Sequence, residues 1–446
     1  MLRCSSSLNA FVIVLALAFP LLATSQPASP ERLSVMVHLD QGADRGPLKA
    51  LVAQQGAVIR YEYRLVPELV NVRELPRSAV GLLAQLPGVV RVEEDLRVKA
   101  SLQESTPLIG GLQSQLATAG FPYDGEGVRV CVLDTGIRAD HAMFGDRVDV
   151  AAGYDFVNDD ADPTDDDGHG THVAGIAVGG VGLTITDGCN PPETIIQGLA
   201  PAATLIGVKV LDEFGGGSGS DLLAGIDHCA DPPGGLPRAD VLNLSLGGAV
   251  GAPGPCDHLG AAFDAAVDLG VVIVAASGNN GNADAIDWPA CVSSVIAVGS
   301  TTDGTCLSPG FPVDTVSSFS NRGSVLDVTA PGERMHSADH DSTTDYRLSQ
   351  GTSQASPVVA GLAALLLDAD PALTPAELRQ VIRDGAVDLG PPGFDNDFGH
   401  GRVDVIGSLS LLDLEEVVPT MAEWAQLLLL GMLMVGGIVV LRGMRP

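Results

Sequence analysis

The chain has 446 residues, 46% hydrophobic and 18% charged, with 55 acidic against 24 basic side chains and a formal net charge of −31. That balance excludes a nucleic-acid binder, and the apolar fraction excludes a disordered acidic polymer, so packed cores in two or three domains are expected. The charge is uneven: residues 31–100 carry nine acids and ten bases, whereas 107–418 carry 44 acids and 11 bases, which points to two separately acting modules.

In chain order, Arg3 precedes an uncharged apolar run from Leu8 to Leu22 and then Ala23, Thr24 and Ser25. The run is short for a membrane span and the small residues suit cleavage, so residues 1–25 read as a secretory signal peptide. Leu33 to Leu39 alternates like a strand, Pro47 to Gln55 reads as a helix ending at Gly56, and strands follow over 57–63 and 68–74. A helix over 77–86 and a strand over 89–94 complete a β-α-β-β-α-β order, the ferredoxin-like arrangement, for a module at 31–100.

From Gly127 onward, apolar strands at 128–133, 205–211, 241–246, 271–276 and 295–298 alternate with helices. The spacing predicts an α/β fold with a doubly wound, mostly parallel sheet over 107–412. Ligands bind such sheets beyond the carboxyl ends of the strands. Four residues stand there with chemistry to offer. Asp134 ends the first strand, His169 opens a helix in Asp167 to Gly175, Asn279 follows a buried strand, and Ser353 begins the apolar helix after Gly351 and Thr352.

In that order, Asp, His and Ser, the chain resembles the subtilisin-like serine proteases (peptidase S8) from about Thr106 to Leu411. A serine hydroxyl is a weak nucleophile at neutral pH, so His169 must take its proton and Asp134 must hold and stabilise the imidazole. The Ser353 backbone N–H and the Asn279 amide would then face the oxyanion. His172, three residues on, is not the base in this resemblance. The small module, with its Val89 to Asp95 ending, resembles the inhibitory I9-type propeptides of these proteases and implies a self-processing zymogen cut between Lys99 and Pro107.

The resemblance also implies the substrate contacts. Gly217, Ser218 and Gly219 would pair with an extended peptide. Ser245, Leu246 and Gly247 would wall the pocket for the residue before the scissile bond, with Ala275 and Gly278 opposite. Aligning Trp288 and Pro289 with the family's aromatic-Pro pair puts Asp287 at the pocket floor, which implies a preference for Arg or Lys. The acidic stretch 155–167 offers hard oxygen ligands, with Asp155, Asp160 and Asp162 as candidates for a structural Ca²⁺. Another family calcium site is doubtful, because Met143 stands where an Asp is usual.

Cysteine use fits export. Cys131 lies in an apolar strand and reads as a buried thiol, and the pairs Cys189–Cys229 and Cys256–Cys291 are the expectation among many connectivities. Trp424 to Leu441 holds no charge and Arg442 and Arg445 follow, a stretch of about 27 Å as a helix, enough to span a bilayer core. The segment 418–446 resembles the Ile-Pro-Thr-Leu-type sorting tails of Gram-negative surface proteins, with Val418, Met421 and Ala425 departing from the pattern. It implies either an address removed by a sorting peptidase or a single-span membrane anchor.

The expected protein is therefore an exported serine endopeptidase, extracellular, on the outer surface or membrane-anchored in a Gram-negative-type bacterium, with peptides as substrates and its own propeptide as inhibitor. The alternative is a surface-display protein, inactive or cutting only itself. The complete set Asp134, His169, Asn279 and Ser353 speaks for the enzyme, because a binding module has no chemical need of it.

Overall fold

A partly alternating N-terminal strand and doubly apolar strands further on call for two kinds of sheet, and both form. The computed structural model describes residues 31–100, 121–180, 182–185, 194–248, 254–257, 260–302 and 312–412. The signal segment, the junction after 100, Cys189, Cys306 and the 418–446 tail lie outside the described residues.

In the N-terminal module, β1 (Arg32–Leu39), α1 (Gly46–Gln54), β2 (Val58–Glu62), β3 (Leu69–Pro76), α2 (Val80–Leu83) and β4 (Val89–Glu94) form an antiparallel sheet ordered β2-β3-β1-β4. This is the expected ferredoxin-like order, around a core of Val35, Val37, Leu48, Val72 and Leu83. The second helix is shorter than 77–86, beginning as a 3-10 turn at Arg77–Ala79. Gly81 weakens it and Pro87 biases Leu86 away from helix. A further strand, β5 (Arg97–Ala100), leaves this module.

The larger module is a seven-stranded parallel sheet. In chain order its strands are β6 (Arg129–Asp134), β7 (Tyr154–Asp155), β10 (Thr204–Lys209), β12 (Val241–Leu244), β14 (Val272–Ala276), β15 (Ile296–Thr301) and β16 (Val328–Pro331); in space they run β16-β15-β14-β12-β6-β10-β7. A small hairpin, β8 (Leu183–Ile185) and β9 (Thr194–Ile196), lies outside it. Successive side chains pack to opposite faces. Val130, Val132, Val274 and Val298 meet α3 (His169–Val178) and α6 (Thr352–Ala369). Cys131, Leu133, Leu242 and Ile273 meet α4 (Gly219–Ala230) and α5 (Ala261–Asp268). Further helices are α7 (Pro375–Asp384), whose capping box joins Thr374 and Glu377, and α8 (Val405–Leu409).

The strand order reverses at β6, with β10 on one side and β12 on the other. Such a switch point opens a crevice beyond the carboxyl end of the strand, and Asp134 is the last residue of β6.

The cysteine reading needs correction. Cys131 is buried but not a free thiol: it is bonded to Cys229, with Cα atoms 6.6 Å apart, so the expected Cys189–Cys229 pair is replaced. Strand β6 and helix α4 are neighbours across the sheet face, a proximity that sequence separation hides. Cys256–Cys291 is bonded as expected. Among the described residues no helix is long and apolar enough to cross a membrane.

Candidate active site

Helix α3 can approach β6 only because Gly170 has no side chain: a Cβ there would lie 2.1 Å from Gly136 O and 3.1 Å from the Asp134 Cβ. The close contact brings His169 Nδ1 to 2.7 Å from Asp134 Oδ1, both side chains fully buried. Burial works to keep the imidazole neutral, but the Asp134 carboxylate outweighs it and holds the His169 pKa above its ordinary value. The Thr135 N–H also donates to Asp134 Oδ1, 2.8 Å.

Asp165, expected only as part of an acidic loop, braces this pair. Its carboxylate accepts from Thr135 Oγ1, Gly168 N, Thr171 N and Thr171 Oγ1 at 2.5–2.9 Å. It thereby ties the loop after β6 to the first turn of α3, whose N–H groups have no helical acceptors. Lys209, 1% exposed, adds a second brace by donating to Thr135 O, Leu211 O and Asp166 Oδ1. Sequence reasoning missed both roles; an Asp four residues before a helix start was the available signal.

His172 is placed elsewhere, with Nε2 3.0 Å from Met335 O. Burial, reinforced by the nearby Arg347 and His169, pushes its pKa down to about 3 from the ordinary 6.5. The sign of the linkage follows: below pH 6.5 the unfolded chain takes a proton that the native state refuses until about pH 3. Stability is therefore whole above 6.5 and lost as pH falls through that window, by about 1.4 kcal/mol per pH unit from this group. Urea midpoints at pH 6.5, 5.5 and 4.5 should fall more steeply in the wild type than in His172→Gln; equal slopes would remove His172 from the acid response.

Ser353 lies in the first turn of α6. Pro357, four residues on, has no N–H to offer the Ser353 carbonyl, and Ser245 Oγ donates to that carbonyl instead, 2.8 Å. In return Ser353 Oγ donates to Ser245 O, 2.8 Å, and His169 Nε2 has no partner among the described residues. The Asp–His half of the constellation is assembled and the Ser–His half is unengaged. Asn279 Oδ1 accepts from Thr352 N at 2.9 Å and Thr352 Oγ1 at 2.8 Å. A backbone N–H can only donate, so this contact fixes which end of the amide is oxygen. Asn321 supports the same loop by accepting from Asn280 N and Asn282 N, a role with no sequence motif.

Of the expected substrate residues, Gly217, Ser218, Leu246 and Gly247 flank β5, whereas Ala275 does not line it. Gly217 and Ser218 of β11 (Gly216–Ser218) pair antiparallel with β5, as do Leu246 and Gly247 of β13 (Leu246–Gly247). Gly219 N donates to Leu96 O, 2.6 Å. The register Gly247–Lys99 and Leu246–Ala100 points the strand toward Ser245 and hence toward Ser353. Asp287, 7% exposed, stands between both pocket walls: a Cβ on Gly278, whose φ is +105°, would lie 2.4 Å from its Oδ2, and one on Gly247 3.3 Å from its Cβ. Ala275 is fully buried in the core on the α4 side.

The rest of the N-terminal module docks on α4. Tyr61 donates to Asp221 Oδ1 at 2.6 Å and Arg73 to the same carboxylate at 2.7 Å, while Arg64 pairs with Asp227 and Asp231. Asp95 accepts from Ser220 N and Ser220 Oγ; burial, the largest influence on it, raises its pKa.

The calcium candidates Asp155, Asp160 and Asp162 are each turned to donors within their own loop. Asp155 turns its oxygens to Val157 N and Asn158, Asp160 to Asp162 N, and Asp162 to Thr164. Each carboxylate closes its own turn, and the three are not gathered as a ligand set among the described residues. Met143 is buried in the core, in keeping with its apolar side chain.

Residues 125–401 match the subtilase family, Peptidase S8. The chain is 41% identical over 261 residues to alkaline serine exoprotease A of Vibrio alginolyticus, covering 58% of this chain and 42% of that protein. It thus spans less than half of that relative's length. It is 33% identical over 360 residues to subtilisin E of Bacillus subtilis (strain 168), covering 79% of this chain and 83% of that one. A solved structure of fervidolysin from Fervidobacterium pennivorans, described as a keratinolytic enzyme related to subtilisin, is similar in fold with a TM-score of 0.67 at 24% identity, covering 86% of this chain and 62% of that chain.

Proposed function

Because this chain belongs to the subtilase family, we propose that it is a serine endopeptidase, exported and made as a precursor that cuts itself. The observation that supports this most is β5, a strand of the chain itself lying between β11 and β13 as an extended peptide would. In this reading residues 31–100 are an inhibitory propeptide, and their contacts with α4 hold β5 in the cleft.

Ser353 Oγ leaves Ser245 O and gives its proton to His169 Nε2 as it attacks the carbonyl carbon. Asp134 stabilises the imidazolium that forms. The oxyanion is met by the Ser353 N–H, which has no helical acceptor in the first turn of α6, and by the Asn279 amide. Collapse passes the proton from His169 to the leaving amine, and water then repeats the sequence on the acyl-enzyme. Asp287 supports a preference for Arg or Lys before the scissile bond, since a cation there would offset a carboxylate held away from water.

Paired peptide anilides ending in Arg or Phe test both levels. Hydrolysis abolished by a fluorophosphonate that labels Ser353 is the expected result, and no hydrolysis of either would overturn the peptidase reading. Arg is expected to be faster; faster Phe would withdraw the role of Asp287 alone.

A further inference from the structure

Arg347, on β18 (Tyr346–Ser349), stands beside the catalytic histidine with no assigned task. Strand β18 pairs with β17 (Met335–Ala338) to make a hairpin that ends four residues before Ser353. A Cβ on Gly168 would lie 2.5 Å from Arg347 Nη1, so the guanidinium covers the residue immediately before His169. Its hydrogen bond is a long one, 3.5 Å to Asp167 O. Among the described residues no carboxylate forms an ion pair with it. Of the three acids on its own hairpin, Asp339 and Asp341 turn to His340, at 3.6 and 3.4 Å, and Asp345 forms no ion pair among the described residues. In a chain with 55 acids and 24 bases, a half-buried cation without a carboxylate is out of balance with its surroundings.

The direction of the cleft says what would pass it. Strand β5 enters over the α4 side and points at Ser245 and Ser353. His169 delivers the proton to the leaving amine, so the peptide beyond the scissile bond leaves on the His169 side, where the hairpin stands. We propose that Arg347 makes this side of the cleft select peptides that carry Glu or Asp within the three residues following the scissile bond. The proposal rests on the peptidase reading and adds a substrate class to it. A guanidinium suits the task, since its planar fork matches a carboxylate and stays charged. The chain's own sequence agrees: Glu104 is the only charged residue between Lys99 and Asp124.

The test uses the mature enzyme and quenched peptides identical before the scissile bond, with Glu, Ala or Lys at each of the first three positions after it. The readout is the Glu-to-Lys ratio of kcat/KM within each enzyme, which a loss of fold or of general activity does not move. The wild type is expected to favour Glu by about five- to tenfold at low salt, less at high salt. The ratio should collapse toward one in Arg347→Ala and invert in Arg347→Glu. A wild-type ratio near one, or a Glu preference that survives in Arg347→Ala, overturns the proposal and leaves the peptidase reading intact. Failure of the wild type to hydrolyse any peptide or anilide overturns both.

Discussion

Ser353→Ala is expected to accumulate as uncut precursor and to lose peptide hydrolysis by about 10⁶-fold, a size known for the same change in subtilisin rather than derived from this geometry. The variant removes the hydroxyl that, in the proposed mechanism, forms the acyl bond. What it leaves is structurally intact. Ser245 Oγ still donates to the Ser353 carbonyl, because that bond answers Pro357 and does not involve the Ser353 side chain. The lost partner is the Ser353 Oγ bond to Ser245 O, a change of about 1 kcal/mol. Intact mass of the secreted product should therefore show a folded protein retaining residues 31–100, against a shortened wild type. A variant shortened at the same bond as the wild type, with casein still degraded, would mean that another nucleophile acts.

The same residues explain what was legible in the sequence. Asp134, His169, Asn279 and Ser353 sit in short glycine-bearing blocks at strand and helix ends, and it was their joint presence in the order Asp, His, Ser that resembled one family, since the same chemistry occurs in other chain orders. The ferredoxin-like order of residues 31–94 was legible because each element carries its own periodicity. Long-range pairing was not. Cys131 and Cys229 lie 98 residues apart, and nothing local says that β6 and α4 share a face. The local bonding of the acidic loop was not legible either: Asp155, Asp160 and Asp162 are close in sequence, and each caps its own Asx turn.

The net of +1 on residues 31–100 is not what seats the small module on an acidic partner. The contacts are local instead: Arg60 meets Asp159, Arg64 meets Asp227 and Asp231, and Arg73 meets Asp221. Acids on the small module face elsewhere, as Glu62 does toward Lys49 and Arg45. Asp95, the exception, turns to the N-terminal turn of α4, where unpaired N–H groups favour an anion. Local pairing accompanies apolar contact, with Met36, Tyr63 and Leu69 packed into the larger module's core, and a sum of charge over the module averages both away.

Asn279→Ala is expected to lower kcat by about 10² to 10³ with KM little changed, again the range known for subtilisin's oxyanion amide. The split between the constants follows from geometry. In the proposed reading a ground-state peptide would be held as β5 is, by backbone pairing with Gly217, Ser218 and Gly247, none of which involves Asn279, so binding should survive. The charge on the carbonyl oxygen appears only as Ser353 attacks, and there the amide is missed. Orientation is the second half of the prediction. Thr352 holds the Asn279 oxygen through both its N–H and its hydroxyl, so Thr352→Val should keep the backbone contact, lose the other, and lower kcat by about tenfold, a smaller effect in the same constant. Steady-state kinetics on one anilide substrate, with fluorophosphonate titration of Ser353 to count active sites, separates this from misfolding. A rise in KM at constant kcat in either variant would place Asn279 in substrate binding and leave the oxyanion to the Ser353 N–H alone.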